Sequence, residues 1–214
     1  MARASERARL GILLSGRGSN FLALADAVER GEVPAEIALV VSNVAEAPGL
    51  QKARERGLPA AAIPQGEFAD REAHDGAMLQ ALRAARVEWV CLAGYMRLLS
   101  PSFIAAYRGR ILNVHPSLLP AFPGLAAQRQ ALEHGVKVSG CTVHFVDEGL
   151  DSGPIVVQKA VPVADGDTAE TLAARILERE HEAYPLALQR LLTESWHLEG
   201  RRLVFGAKKI GERG

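Results

Sequence analysis

Cysteine is scarce in this chain, because its 214 residues contain only two, Cys91 and Cys141. Both stand in apolar runs, and their spacing does not match that of metal-binding cysteines. A disulfide-stapled scaffold and a cysteine-rich zinc site are therefore disfavoured. Two small buried thiols in a reducing compartment are expected, and a disulfide is the less favoured alternative.

An excess of charge of one sign is also absent, since 25 Lys and Arg residues balance 25 Asp and Glu residues. Such a chain has no overall field that attracts nucleic acid or an anionic membrane, so an anionic ligand must be bound locally. The apolar run at 10–14 is too short for a signal sequence and far too short to span a bilayer. We expect a cytoplasmic monomer or weak homodimer with no nucleic-acid or membrane partner.

Short apolar runs do occur, and in the first half of the chain they alternate with helical patterns. Strands are predicted at residues 10–14, 37–41, 60–63, 89–93 and 111–114, and helices at 21–30, 50–56 and 68–86. This alternation is typical of βαβ units. It predicts an α/β, Rossmann-like fold with a mostly parallel sheet and helices on both faces. A single domain at 9–206 is expected, between a flexible leader at 1–8 and a flexible tail at 207–214.

The second half of the chain has a different pattern. Strands at 141–146 and 155–163 predict an antiparallel extension of the sheet. A long amphipathic helix is expected at 168–192, opened by Asp167-Thr168 with Glu170 in its first turn. Residues 196–205 are typical of a closing hairpin.

The end of the strand at 111–114 carries the most informative side chains. Residues two apart in a strand point to the same side, so Asn113 and His115 should lie together, and Pro116 stops the strand behind them. An amide donor beside an imidazole is suited to acyl transfer without an enzyme nucleophile. Asp151, on a loop bounded by Gly and Pro, could return to His115 and hold it charged. The alternative is a buried structural histidine beside an ordinary acidic turn.

The segment Ser15-Gly-Arg-Gly-Ser-Asn20 follows the first strand and opens the first helix. Free backbone amides there favour a small anion such as a phosphomonoester. A dinucleotide site is disfavoured, because Phe21 replaces the third glycine and the second strand ends in Ser42-Asn43 without an acidic residue. A tight turn without a ligand remains the structural alternative.

Three segments together carry a resemblance: Ser15-Gly-Arg-Gly-Ser-Asn20, Asn113-Val-His115-Pro-Ser-Leu-Leu-Pro120 and Asp151-Ser-Gly-Pro154. With them, the chain resembles the folate-dependent formyltransferases from about residue 9 to about residue 205. More closely, it is similar to the members that pass the formyl group of 10-formyltetrahydrofolate to the amine of glycinamide ribonucleotide in purine biosynthesis. The resemblance implies formyl folate as co-substrate and direct attack through a tetrahedral intermediate. The spacing of the histidines predicts no metal site, and no nicotinamide or flavin is expected.

The resemblance also implies roles for particular residues. Asn113, His115 and Asp151 would be catalytic, and Gly18, Ser19 and Asn20 would hold the phosphate, with Glu180 near the ribose hydroxyls. Folate contacts map to Met96, Arg97, Leu98, Leu99, Asp147, Glu148, Gly149 and Leu150, and to Arg71 for the folate tail. Apart from the resemblance, His144 is expected on a strand close to the Asp151 loop, where it either supports the catalytic trio or is a satisfied core histidine. Residues 122–138 are expected to form a mobile flap, in which Ala126 departs from the polar residue of many relatives.

Two other functions stay open on these residues. A 10-formyltetrahydrofolate hydrolase would use the same trio with water as the nucleophile, but it would not need the phosphate cradle at 15–20. Such enzymes usually have an additional amino-terminal domain, whereas here the first strand is expected by residue 9. A non-catalytic phosphometabolite-binding module would keep the fold without needing the intact trio. A transfer RNA formyltransferase is disfavoured by the balanced charge.

Overall fold

The computed structural model describes residues 7–206. Residues 1–6 of the expected leader and the whole expected tail at 207–214 lie outside this range, and Ala8 already belongs to the first strand. In chain order the elements are β1 Ala8–Leu14, α1 Ser19–Glu29, β2 Ala35–Ser42, α2 Pro48–Glu55, β3 Ala60–Ala62, α3 Arg71–Ala84, β4 Trp89–Leu92, α4 Pro101–Ala106, β5 Ile111–His115, α5 Ala127–Glu133, β6 Val138–Phe145, β7 Ile155–Pro162, α6 Ala169–Thr193, β8 Trp196–Glu199 and β9 Arg202–Phe205.

One seven-stranded sheet organises the molecule, with the strand order β3-β2-β1-β4-β5-β6-β7. The first five of these strands are parallel, whereas β6 is antiparallel to both β5 and β7. The carboxyl-terminal hairpin β8–β9 forms a separate two-stranded sheet. The predicted α/β architecture with an antiparallel extension is confirmed.

Two hydrophobic clusters cover the two faces of the sheet. Phe21 of α1, Leu50 of α2 and Tyr184 of α6 belong to one cluster. Met78 of α3 and Phe103 of α4 belong to the other. All five side chains are completely buried. Because strands such as β4 are buried on both faces, they are continuous apolar runs without alternation, as expected for a parallel sheet.

Several predicted boundaries were wrong. Helix α3 begins at Arg71 and not at residue 68, because the Asp70 carboxylate accepts a hydrogen bond from the Ala73 amide and caps the helix, after a 3₁₀ turn at Gln65–Glu67. Helix α4 was missed, although Ser100 followed by Pro101 is an ordinary helix start. The segment expected as a flap contains helix α5, and β6 begins at Val138 and not at residue 141.

The long helix α6 begins as predicted after Thr168. The Thr168 hydroxyl accepts from the Thr171 amide, and the Thr171 hydroxyl accepts from the Thr168 amide. Sixteen residues on, the fully buried Tyr184 hydroxyl donates toward the carbonyls of Leu92, at 3.1 Å, and Leu112, at 2.9 Å. Tyr184 therefore joins α6 to the ends of β4 and β5, immediately before Asn113.

None of the helices in the range 7–206 is both long enough and apolar enough to cross a membrane.

Candidate active site

Many of the sequence-predicted site residues lie along the carboxyl edge of the parallel strands. Strand β1 pairs with β2 on one side and with β4 on the other, so the strand order reverses beside it. Ligands of open α/β sheets bind in the crevice at such a reversal. The loop after β1, the loop after β4 and the end of β5 all lie along this edge.

His115 closes β5 and is buried, with 5% of its surface exposed. Its Nδ1 lies 3.3 Å from Oδ2 of Asp151 and its Nε2 lies 2.8 Å from the carbonyl oxygen of Phe122. Both neighbouring oxygens are acceptors, so the arrangement suits a ring that carries a proton on each nitrogen. The structure thus brings together two residues that are 36 positions apart in the sequence.

Asp151 is held in an unusual backbone conformation, with φ of +48°. The left-handed region is uncommon for residues other than glycine, and such strain often accompanies functional sites. Oδ2 of Asp151 also accepts a hydrogen bond from the Gly124 amide at 2.8 Å. The carboxylate therefore connects His115 to the turn that precedes α5.

The side chain of Asn113 hydrogen-bonds to His144 on the neighbouring strand. Nδ2 of Asn113 lies 3.3 Å from Nε2 of His144, and Nδ1 of His144 lies 2.8 Å from the carbonyl of Phe145. Since a carbonyl only accepts, Nδ1 of His144 carries the proton and Nε2 accepts from Asn113 when the ring is neutral. Burial lowers the pKa of His144, with partial opposition from the Phe145 carbonyl and Asp151, and so favours that neutral ring. Nε2 of His144 is 3.7 Å from Oδ1 of Asp151.

The loop at 15–20 has the predicted form of a glycine turn that opens α1. Gly18 has φ of +71°, and a Cβ at this position would lie 2.8 Å from the Cα of Gly49. Gly18 is therefore required by the turn and by the close approach of α2, in addition to any ligand. Gly49 was not among the predicted residues, and a Cβ at this position would lie 2.9 Å from the Gly16 carbonyl oxygen.

Asn20 and Glu180 meet beside this loop. Nδ2 of Asn20 donates to Oε2 of Glu180 at 2.6 Å, and the Oδ1 of Asn20 has no partner among the residues described. Burial raises the pKa of Glu180, while the bond from Asn20 opposes this effect. A half-satisfied polar pair of this kind is suited to hydroxyl groups of a ligand.

The predicted folate residues divide into exposed and engaged side chains. Met96, Leu98 and Leu150 are exposed by 70%, 65% and 57%, and Leu125 of the expected flap by 79%. Exposed apolar side chains are suited to contact with a flat ring. Gly149 lies in the Leu150 loop.

Other predicted folate residues already have partners. Leu99 is buried, Arg97 donates to Gln65 at 2.6 Å, and the Asp147 carboxylate bonds within its own loop. Glu148 forms an exposed ion pair with Arg108 at 3.2 Å, and its carboxylate is engaged there. Arg71 is the exposed first residue of α3, and within residues 7–206 it is not joined to the other predicted folate residues.

Neither cysteine of the described range 7–206 is an activated nucleophile. Burial raises the pKa of the Cys91 thiol and of the Cys141 thiol to about 12, so neither provides a thiolate. Both are free thiols in the core, as expected. The described residues contain no group of three or more His, Cys, Asp or Glu side chains that could hold a metal ion.

Comparison with known proteins assigns the class. A family model for formyl transferases matches residues 8–188 of this chain. The chain therefore belongs to the formyl transferase family.

Among individual relatives, the chain is 42% identical over 190 residues to the phosphoribosylglycinamide formyltransferase of Escherichia coli strain K12, covering 89% of this chain and 87% of the relative. It is 52% identical over 184 residues to the trifunctional purine biosynthetic protein adenosine-3 of Drosophila pseudoobscura pseudoobscura, covering 85% of this chain. It spans only 14% of that much longer relative.

Two solved structures, a transformylase and a deformylase, share the fold of this chain. The crystal structure of glycinamide ribonucleotide transformylase 1 from Symbiobacterium toebii superposes with a TM-score of 0.93 at 49% identity, covering 96% of this chain and 97% of that one. A formyltetrahydrofolate deformylase from Pseudomonas syringae superposes with a TM-score of 0.86 at 26% identity, covering 94% of this chain and 66% of that one.

Proposed function

We propose that this chain transfers the formyl group of 10-formyltetrahydrofolate to the amine of glycinamide ribonucleotide, in purine biosynthesis. The observation that carries the proposal is that Asp151 lies beside both His115 and His144, while His144 binds Asn113, on a fold shared with a named glycinamide ribonucleotide transformylase. A cytoplasmic location and a monomer or weak homodimer stay predictions.

In this proposal the amine attacks the formyl carbon directly. A new carbon–nitrogen bond forms, the formyl oxygen becomes an oxyanion, and the bond to N10 of the folate then breaks. Asn113 donates a hydrogen bond to the oxyanion from its amide, whose orientation is favoured by the acceptor Nε2 of His144. N10 gains a proton from His115, and the proton lost by the amine restores His115, so the protons balance. Because the amine itself attacks the formyl carbon, no covalent enzyme intermediate is needed.

His115 would act as the acid in the same step. Its Nε2 donates a hydrogen bond to the Phe122 carbonyl at 2.8 Å. This hydrogen bond must be replaced by one to the substrate before the proton can be transferred. Asp151 keeps the opposite side of the ring paired, with its Oδ2 3.3 Å from Nδ1, and so holds the ring in its orientation. In the proposed complex the substrate would replace the Phe122 carbonyl as the hydrogen-bond partner of Nε2.

The two substrates would occupy the two halves of the carboxyl edge. The phosphate would bind to the backbone amides and side chains at Gly18, Ser19 and Asn20, and the ribose hydroxyls would bind Glu180. The exposed Met96, Leu98 and Leu150 would contact the folate ring. Residues Arg71, Arg97, Leu99, Asp147, Glu148 and Gly149 stay predictions as folate contacts.

The assay follows absorbance as 10-formyl-5,8-dideazafolate loses its formyl group, with and without glycinamide ribonucleotide. We expect loss only when the ribonucleotide is present, and strongly reduced loss in Asp151→Asn. Asp165→Asn, which removes an exposed carboxylate paired with Lys137, is the matched control and should retain the rate. Loss of formyl without an acceptor would indicate the hydrolase instead, and binding without turnover would indicate the binding module.

A further inference from the structure

A closed ring of hydrogen bonds crosses the carboxyl ends of four adjacent strands. The Met96 amide donates to Oγ of Ser15 at 2.9 Å, and this hydroxyl donates to Oδ1 of Asn43 at 2.6 Å. Nδ2 of Asn43 donates to Oε1 of Gln65 at 3.0 Å, and the same oxygen accepts from Arg97 at 2.6 Å. Arg97 follows Met96 in the chain, so the ring is complete.

Asn43 occupies the buried middle of this ring, with 5% of its surface exposed. Both the oxygen and the nitrogen of its side-chain amide are hydrogen-bonded. Its backbone carbonyl accepts from the Gln65 backbone amide at 3.3 Å. The preceding Ser42 hydroxyl bonds to the backbone of Val44 and holds the turn in which Asn43 lies. Asn43 is therefore placed to position other residues and not to contact a ligand itself.

The ring joins the two proposed substrate sites. Ser15 begins the loop at 15–20, and its backbone amide donates to the Gly94 carbonyl at 3.1 Å. Met96 and Arg97 begin the segment that is proposed to contact the folate. A shift of either loop therefore changes the hydrogen bonds of the other.

We propose that Asn43 and Gln65 are positioning residues that make the binding of the two substrates mutually favourable. A phosphate that orders the loop at 15–20 also fixes the Ser15 hydroxyl, and through the ring it fixes Met96. The second ligand then loses less conformational freedom when it binds, and the effect must be equal in both directions. This inference rests on the proposed function, because it takes the two ligands from that proposal.

The test measures the dissociation constant of 5,8-dideazafolate, which has no formyl group to transfer, by titration calorimetry with and without saturating glycinamide ribonucleotide. In the unaltered chain we expect the ribonucleotide to tighten binding by about fivefold or more. In Gln65→Ala, which removes the acceptor for Asn43 and Arg97, this factor should fall towards one. Gln65→Glu keeps an acceptor oxygen at the same place and should retain the factor.

Gln65 is exposed, so both variants should fold, and their thermal unfolding midpoints serve as the check. Asn43→Ala should lose the factor as well, with some loss of stability. A factor of one in the unaltered chain, a factor unchanged in Gln65→Ala, or an equal loss in Gln65→Ala and Gln65→Glu would overturn the inference.

The formyl-transfer assay on the same preparations separates this inference from the proposed function. Ribonucleotide-dependent turnover together with a factor that Gln65→Ala leaves unchanged would overturn the positioning role alone. Failure of the unaltered chain to bind either ligand or to transfer the formyl group would overturn both.

Discussion

Glu180 accepts a buried hydrogen bond of 2.6 Å from Asn20, a residue 160 positions earlier in the chain. The contact joins the glycine loop after β1 to the long helix α6. It also leaves a carboxylate in an environment that raises its pKa. A buried charged carboxylate lowers the stability of the ligand-free protein. Such a loss of stability is expected where the group serves to bind a ligand.

Glu180→Gln should stabilise the empty protein at neutral pH and weaken ribonucleotide binding. Because the folded-state pKa of Glu180 is raised above the ordinary value of 4.5, its contribution to stability is present at lower pH and is lost as the pH rises through the folded pKa. Glutamine keeps an acceptor for Asn20 without the charge. Chemical unfolding should therefore show a more stable variant at neutral pH and no gain well below pH 4.5.

The same variant should raise the KM for glycinamide ribonucleotide by roughly tenfold or more, the loss expected for a hydrogen bond to a charged group. Glu178→Gln changes an exposed carboxylate on the same helix and is the control for both readouts. An unchanged KM would contradict the ribose role of Glu180.

Tyr184→Phe should destabilise the protein by about 1–3 kcal/mol, because it removes the buried hydroxyl that donates toward the carbonyls of Leu92 and Leu112. Urea unfolding measures the change. Tyr95→Phe, which removes only a 3.5 Å contact to the Met78 sulfur, is the matched control and should cost less. Equal losses in the two variants would contradict a special role for the Tyr184 bridge.

His144→Gln should flatten the loss of stability on acidification. Burial lowers the pKa of His144 in the folded state, so the unfolded chain takes up the proton first, and stability is lost as the pH falls below the ordinary value of 6.5 and through the folded pKa. Free energies of unfolding between about pH 7 and about pH 5.5 should therefore fall less steeply in the variant.

Part of the slope should remain in that variant, because burial also lowers the pKa of His181. The exposed His134 provides the control substitution, His134→Gln. An identical slope in the unaltered chain and in His144→Gln would show that His144 is not neutral in the folded protein.

Asn113→Ala should remain folded but lose roughly a hundred- to a thousand-fold in kcat, the usual cost of removing an oxyanion donor. Steady-state kinetics with both substrates measures this change, and circular dichroism checks the fold. Asn113→Ala leaves His115 and Asp151 in place, so a nearly normal kcat would remove Asn113 from the proposed mechanism.

The fold could be predicted largely from local patterns. Continuous apolar runs such as β4 are typical of strands that are buried on both faces in a parallel sheet. Thr168 is a residue type that commonly caps helices, so the start of α6 could be predicted from the sequence. Helix α4 was missed because its Ser100 cap follows directly on a loop that had been assigned to ligand binding. Helix α5 was missed because its residues lay in a segment expected to be a mobile flap.

The parts of the candidate site that involve backbone groups or residues distant in the sequence were harder to predict from the sequence. No side-chain pattern shows that the Phe122 carbonyl binds His115, since every residue has a carbonyl. The need for glycine at Gly49 depends on the approach of Gly16 and Gly18 in space. The ring through Asn43 likewise depends on the order of the strands, which the alternation of elements does not determine.

The most direct test of the account is a single-turnover measurement on His115→Asn, made beside the dissociation constants of glycinamide ribonucleotide and 5,8-dideazafolate. We predict that the formyl-transfer rate falls by about a hundred- to ten-thousand-fold, as for loss of a general acid, while both dissociation constants stay within about threefold. A transfer rate close to that of the unaltered chain would contradict the assignment of His115, and with it the mechanism proposed for this site.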